Sequence, residues 1–167
     1  MCSHPHQCPS DCSLRQTIDE LDFDRSIWSA ALMGDVAKVE HFLRRSSLNV
    51  NRSDKFGFTA LHYAARNNHL DVCRLLIKAG ANIDVHTRSD GATPAHRAAY
   101  CGHIAILEEL FKCETRAAFV RDFKGQTCLH SAYRGRQPKV VEYLLRRYPE
   151  LENIKDEDGH VAADLTQ

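Results

Sequence analysis

Laid against itself, the chain repeats with a period of 34 residues. Gly57-Phe58-Thr59-Ala60-Leu61-His62-Tyr63-Ala64-Ala65 returns as Gly91-Ala92-Thr93-Pro94-Ala95-His96-Arg97-Ala98-Ala99, and again as Gly125-Gln126-Thr127-Cys128-Leu129-His130-Ser131-Ala132-Tyr133. Gly159 continues the glycine series, and Ala30-Ala31 lies 34 residues before Ala64-Ala65. A period of roughly 20–50 residues means stacked supersecondary units, none of which buries its own apolar face alone.

Each unit carries its own local signals. Thr59, Thr93 and Thr127 stand where a helix N-cap is wanted, because a hydroxyl satisfies an orphan backbone N–H of the first turn. Pro94 follows Thr93 at the first helical position, where its missing N–H costs nothing. Paired alanines leave one helix face small enough for close packing. A second helix is predicted from Leu70, from Ile104 and from Pro138, each with apolar residues at helical rather than alternating spacing. Polar, turn-rich links such as Arg88-Ser89-Asp90-Gly91 and Asp122-Phe123-Lys124-Gly125 lead into the next unit.

Thr-Ala-Leu-His, Thr-Pro-Ala-His and Thr-Cys-Leu-His resemble the Thr-Pro-Leu-His motif of the ankyrin repeat. Asn68-His69-Leu70-Asp71-Val72 and Gly102-His103-Ile104 resemble that family's joint between its two helices, and Gly80-Ala81-Asn82-Ile83-Asp84 its lead into the finger loop. The resemblance covers about residues 24–166. It implies an all-α ankyrin-repeat solenoid of about four helix-turn-helix repeats with hairpin-like finger loops and a truncated C-terminal capping segment. The units run over about 24–53, 54–87, 88–121 and 122–155, with a partial one at 156–167. A Cys/His tail occupies residues 1–13, and a short amphipathic helix with an acidic face is predicted over 14–23.

The chain also departs from the family pattern. The period exceeds the family's by one residue, which puts an extra residue in each finger. Asn68 and Arg136 replace the joint glycine; Asn tolerates a left-handed backbone, whereas Arg is strained there unless the turn differs. Glu114-Thr115-Arg116 and Tyr148-Pro149-Glu150 stand where Gly-Ala-Asn would, so irregular fingers are expected in the third and fourth units. Trp28 takes the histidine position of the first unit, as in an atypical capping repeat.

Charge decides what else the chain is fit for. Lys plus Arg balance Asp plus Glu at 22 each, so no overall field attracts nucleic acid or an anionic membrane. The start lacks the basic and apolar regions of a secretory signal, and an odd count of seven cysteines argues against a disulfide framework. A reducing cytosol or nucleus is the natural setting. Cys73, Cys101, Cys113 and Cys128 fall in helical patterns, where a reduced thiol behaves as a small buried hydrophobe.

Ten histidines raise the question of metal or catalysis. His62, His96 and His130 occupy the repeat motif, where the resemblance implies a structural bond across repeats, and His69 and His103 fall at the joints. No phosphate-binding glycine loop, His-Glu-x-x-His or Gly-x-Ser-x-Gly is present, so no catalytic residues are expected. Cys2, His4, His6, Cys8 and Cys12 place five ligands within eleven residues. They are enough for a four-coordinate zinc ion, although their spacing matches no recognised finger; a partner motif or a disordered tail suits the same residues. No other cofactor is expected.

The resemblance implies a non-catalytic adaptor or scaffold, a monomer that binds a protein or peptide on the concave surface of fingers and first helices. Mapped onto this sequence, that surface comprises Lys55, Phe56, Phe58, Arg66, Asn67, Arg88, Asp90, Tyr100, Phe123, Lys124, Gln126 and Arg134. Phe56, Phe58 and Phe123 lie in glycine-flanked loops where polar residues are usual, and exposed aromatics beside arginines have the composition of interface anchors. Alternatives are a module ordered by zinc on the tail, and a ubiquitin-ligase substrate receptor, although no appended box is visible before Gln167.

Overall fold

A computed structural model of the chain describes residues 26–45 and 49–166. Among the described residues the α-helices come in four pairs: α1 (Ile27–Met33) with α2 (Val36–Leu43), α3 (Ala60–Arg66) with α4 (Leu70–Lys78), α5 (Pro94–Cys101) with α6 (Ile104–Cys113), and α7 (Cys128–Arg134) with α8 (Pro138–Arg147). A 3-10 segment, Ala162–Thr166, packs on α7 where the first helix of a further unit would lie. First helices contact first helices and second helices contact second helices along the chain, the arrangement of a solenoid. Among the described residues extended pairing is confined to two isolated bridges, Ser53 with Thr59 and Lys155 with Val161.

The first helices of units two, three and four begin on capping boxes. Thr59 N–H donates to Nδ1 of His62 at 3.1 Å, Thr93 N–H to Nδ1 of His96 at 3.2 Å and Thr127 N–H to Nδ1 of His130 at 3.2 Å. The alanine pairs are fully buried, and Leu61, Leu76, Ile106, Leu107, Leu110, Leu129 and Leu144 fill one continuous core between the two helix layers.

The joints follow one rule. The N–H groups of Asp35, His69, His103 and Gln137 each reach the carbonyl five residues back, on Ala30, Ala64, Ala98 and Ala132. The residue between helices is left-handed every time: Gly34, Asn68 (φ 61°), Gly102 (φ 89°) and Arg136 (φ 53°). The turn at Arg136 therefore does not differ from the others, and the strained alternative of the sequence reading is the one observed.

The fingers expected to be irregular keep the regular aspartate turn at Asp122 and Asp156; the irregularity lies in the 3-10 turns that lead into them, Thr115–Ala118 and Pro149–Asn153. They bury Ala117, Ala118 and Leu151. Tyr148 stands edge-on to Phe111 at 5.5 Å and to Phe119 at 5.7 Å, joining the two turns through an aromatic cluster.

Candidate functional site

The motif histidines are scaffold. With Nδ1 accepting from the capping threonine, the ring proton sits on Nε2, which donates to the next finger: His62 to Ala92 O at 3.1 Å, His96 to Gln126 O at 2.9 Å and His130 to His160 O at 3.5 Å. Burial pushes the His62 ring down to about 4 despite the Ala92 carbonyl, and burial lowers His96 and His130 as well. In the first unit Trp28 does the same with its indole N–H, donating to Arg52 O at 3.0 Å.

The joint side chains reach the opposite way. Nε2 of His69 donates to Leu32 O at 2.9 Å, Nε2 of His103 to Arg66 O at 3.0 Å and Nε2 of Gln137 to Tyr100 O at 3.3 Å. His103 thus faces a backbone carbonyl and not the neighbouring Cys101. Cys73 and Cys128 are buried, and burial raises both thiols to about 12, which makes them inert. Cys101 is half-buried and Cys113 is exposed at the end of α6, so the buried reading fails for Cys113: α6 has no further turn to cover it.

The fingers are built on aspartates. Asp54 Oδ1 accepts from the N–H groups of Phe56 and Phe58, and Asp122 Oδ1 from those of Lys124 and Gln126, at 2.8 to 2.9 Å. Asp156 repeats the pattern with Asp158 and His160, so the acidic cluster of Asp156, Asp158 and His160 is a turn. At the in-phase position of the third unit stands Arg88, and Asp90 takes over by accepting from Thr87 and Ser89 hydroxyls. Burial opposes the Asp90 charge, but these bonds and Arg97 hold its carboxyl below the ordinary value. Adjacent fingers are joined by backbone bonds from Arg88 N to Phe56 O, Phe123 N to Asp90 O and Glu157 N to Lys124 O.

Of the surface mapped from the sequence, Lys55, Phe56, Arg88, Phe123 and Lys124 are exposed on the fingers, and Arg66, Asn67, Tyr100 and Arg134 are exposed at the ends of first helices. Three of the mapped residues are engaged by their neighbours. Phe58 is half-buried, 5.5 Å from the Tyr63 ring and with the Arg97 guanidinium 5.0 Å above it. Asp90 is half-buried and held by Nη2 of Arg97 at 2.9 Å. Gln126 is 6% exposed, its amide donating to Asp156 and accepting from Arg134, so its polar atoms are used inside the stack. Met33 was missed: it is 73% exposed at the end of α1, in register with Asn67 and Cys101, and the period alone points to it. The tail ligands Cys2, His4, His6, Cys8 and Cys12 and the helix predicted over 14–23 lie outside the described residues.

Paired helices, capping boxes at 34-residue spacing and histidines that bond the next finger settle the architecture. A family model described as ankyrin repeats in three copies matches residues 27–118 and again 84–158. The chain belongs to the ankyrin-repeat family. It is similar to ankyrin repeat domain-containing protein 39 of Homo sapiens, 44% identical over 86 residues that make up 52% of this chain and 45% of that protein. The protein of the same name from Bos taurus is 47% identical over 68 residues, 41% of this chain and 35% of its own length. Tyrosine-protein kinase Shark of Drosophila melanogaster is 32% identical over 140 residues, 83% of this chain but 15% of that kinase. The matched segments thus span less than half the length of each of these relatives. Ankyrin repeats generally mediate protein–protein interaction and are typically non-catalytic. No described helix is long and apolar enough to cross a membrane.

Proposed function

We propose that this chain is a non-catalytic adaptor that binds a protein or peptide on the surface formed by its fingers and first helices. One observation carries the reading. Among the described residues the large apolar side chains left exposed are Met33, Phe56, Tyr100 and Phe123, and every one belongs to a finger or a first helix. The second helices carry none. Exposed apolar groups confined to one face of a rigid stack are the composition of a binding surface.

Cations accompany them. Lys55 Nζ lies 5.3 Å from the Phe56 ring, and Arg66, Arg88, Lys124 and Arg134 are exposed around the aromatics. The stack holds these anchors in place before binding, so little conformational entropy is lost on association. The unpaired thiols of the core support a setting in the cytosol or nucleus.

Affinity capture from cytosol tests the reading. Wild type is compared with Phe56→Ala/Phe123→Ala, folding being verified by circular dichroism, and with Lys78→Ala/Lys139→Ala on the second helices. A protein held by wild type and the second-helix variant but lost by the finger variant is the expected result. Equal retention by all three would refute the surface.

A further inference from the structure

A groove of about 790 Å³ lies at the joint end of units three and four, away from the fingertips. Tyr100 at the end of α5, Tyr133 at the end of α7, Val141 on α8 and Leu165 form its apolar walls, and Arg134 and Arg136 its rim. Two features of the sequence stand beside it. Gly135 stands in register with Met33, Asn67 and Cys101, all of which carry side chains. A Cβ at Gly135 would lie 2.1 Å from the Tyr100 carbonyl oxygen, so α7 ends directly against α5. The next residue is Arg136, left-handed at φ 53° where Gly34 and Gly102 occupy the matching positions.

The same left-handed joint recurs at Gly34, Asn68 and Gly102, so the repeat itself requires that backbone, and the side chain at Arg136 is what sets this joint apart. Among the described residues the Arg136 guanidinium has no hydrogen bond or ion pair, yet its side chain lines the groove. An unengaged guanidinium at the edge of a cavity is free to pair with a ligand's anionic group. Arg134 beside it is oriented by one bond, from Nη1 to Gln126 Oε1 at 3.2 Å, which leaves most of its donors open. Against these two cations the groove holds a single carboxylate, Glu142.

We infer that this groove is a docking site for an acidic peptide segment of a partner protein. Carboxylates of the peptide pair with Arg134 and Arg136, and an apolar side chain seats between Tyr100 and Tyr133. Planar guanidinium groups bind carboxylates through two parallel N–H bonds, and the tyrosines give large contact area at low entropic cost. The inference rests on the adaptor reading and deepens it, extending that surface from Tyr100 and Arg134 into the joint and adding the chemistry of the partner.

A displayed library of random twelve-residue peptides, panned on the wild-type chain, supplies the probes. The expected peptides are rich in Asp and Glu around an apolar residue. Their affinity, read by fluorescence anisotropy, should weaken about tenfold or more in Arg136→Gly and in Arg134→Gln, and should fall with added salt. Arg136→Gly relieves the left-handed strain, so its melting temperature should equal or exceed that of wild type. Loss of binding in a chain that is no less stable is a result that a merely structural role for Arg136 would not produce. Peptides without an acidic bias, no peptides at all, or equal binding by wild type and both arginine variants would overturn the inference. Binding lost in Phe56→Ala/Phe123→Ala but kept in Arg136→Gly would do the same while leaving the adaptor reading intact.

Discussion

Each unit of the stack is tied to its neighbours at two ends, and the two ties differ in kind. At the finger end a motif histidine donates forward to a carbonyl 30 residues on. At the joint end a side chain donates back to a carbonyl 37 residues earlier. His62, His96 and His130 are buried at 2% exposure or less, and all three are histidine. The joint side chains are half-buried, and the third is Gln137. An imidazole satisfies a donor and an acceptor at once, in a place where water cannot replace either. At the joint, water can stand in for a lost partner, so a different residue serves. Burial, more than the presence of a bond, decides how strictly chemistry is specified.

Removing one tie at each end should separate them. His96→Ala is expected to cost the most, about 4 kcal/mol, because it leaves the Thr93 N–H and the Gln126 carbonyl unpaired in the core and opens a cavity. Urea unfolding measures it, and a loss below about 1 kcal/mol would erase the distinction. Acid should also weaken the finger end. The His62 ring titrates at 6.5 when unfolded and at about 4 when folded, so the unfolded chain binds more protons in between. Stability is complete above that window and falls as pH drops through it, by about 2 kcal/mol from His62 alone at pH 5. Urea midpoints at pH 7.5 and 5 should show the fall, and His62→Ala should reduce it. Smallest of all is His103→Ala itself, at about 0.5–1 kcal/mol, since the Arg66 carbonyl it abandons becomes accessible to water.

Much of the scaffold was legible residue by residue. Thr59, Thr93 and Thr127 cap helices as their spacing predicted, and α4, α6 and α8 start at the predicted Leu70, Ile104 and Pro138. Propensity and capping act within a few residues, so the chain displays them directly. The surface was harder to read. Phe58 and Phe123 look alike in sequence, each within two residues of a fingertip glycine. Phe58 is covered by Arg97 from the next unit, whereas Phe123 lies against Gly91 of the previous finger and stays 57% exposed. Gln126 looked available because its in-phase neighbours Phe58 and Ala92 give no hint that Asp156 waits 30 residues on.

The sequence by itself determined the period, the helix pairs and the histidine that each capped helix carries at its third position, because these follow from short-range contacts repeated along the chain. Only the tertiary structure decided which side chains meet across units. It turned Phe58, Asp90 and Gln126 into scaffold, left Met33, Phe56, Tyr100 and Phe123 in solvent, and brought Arg134 and Arg136 to one groove. Exposure is a property of packed neighbours some 30 to 37 residues apart, and a single unit read alone does not contain its neighbours.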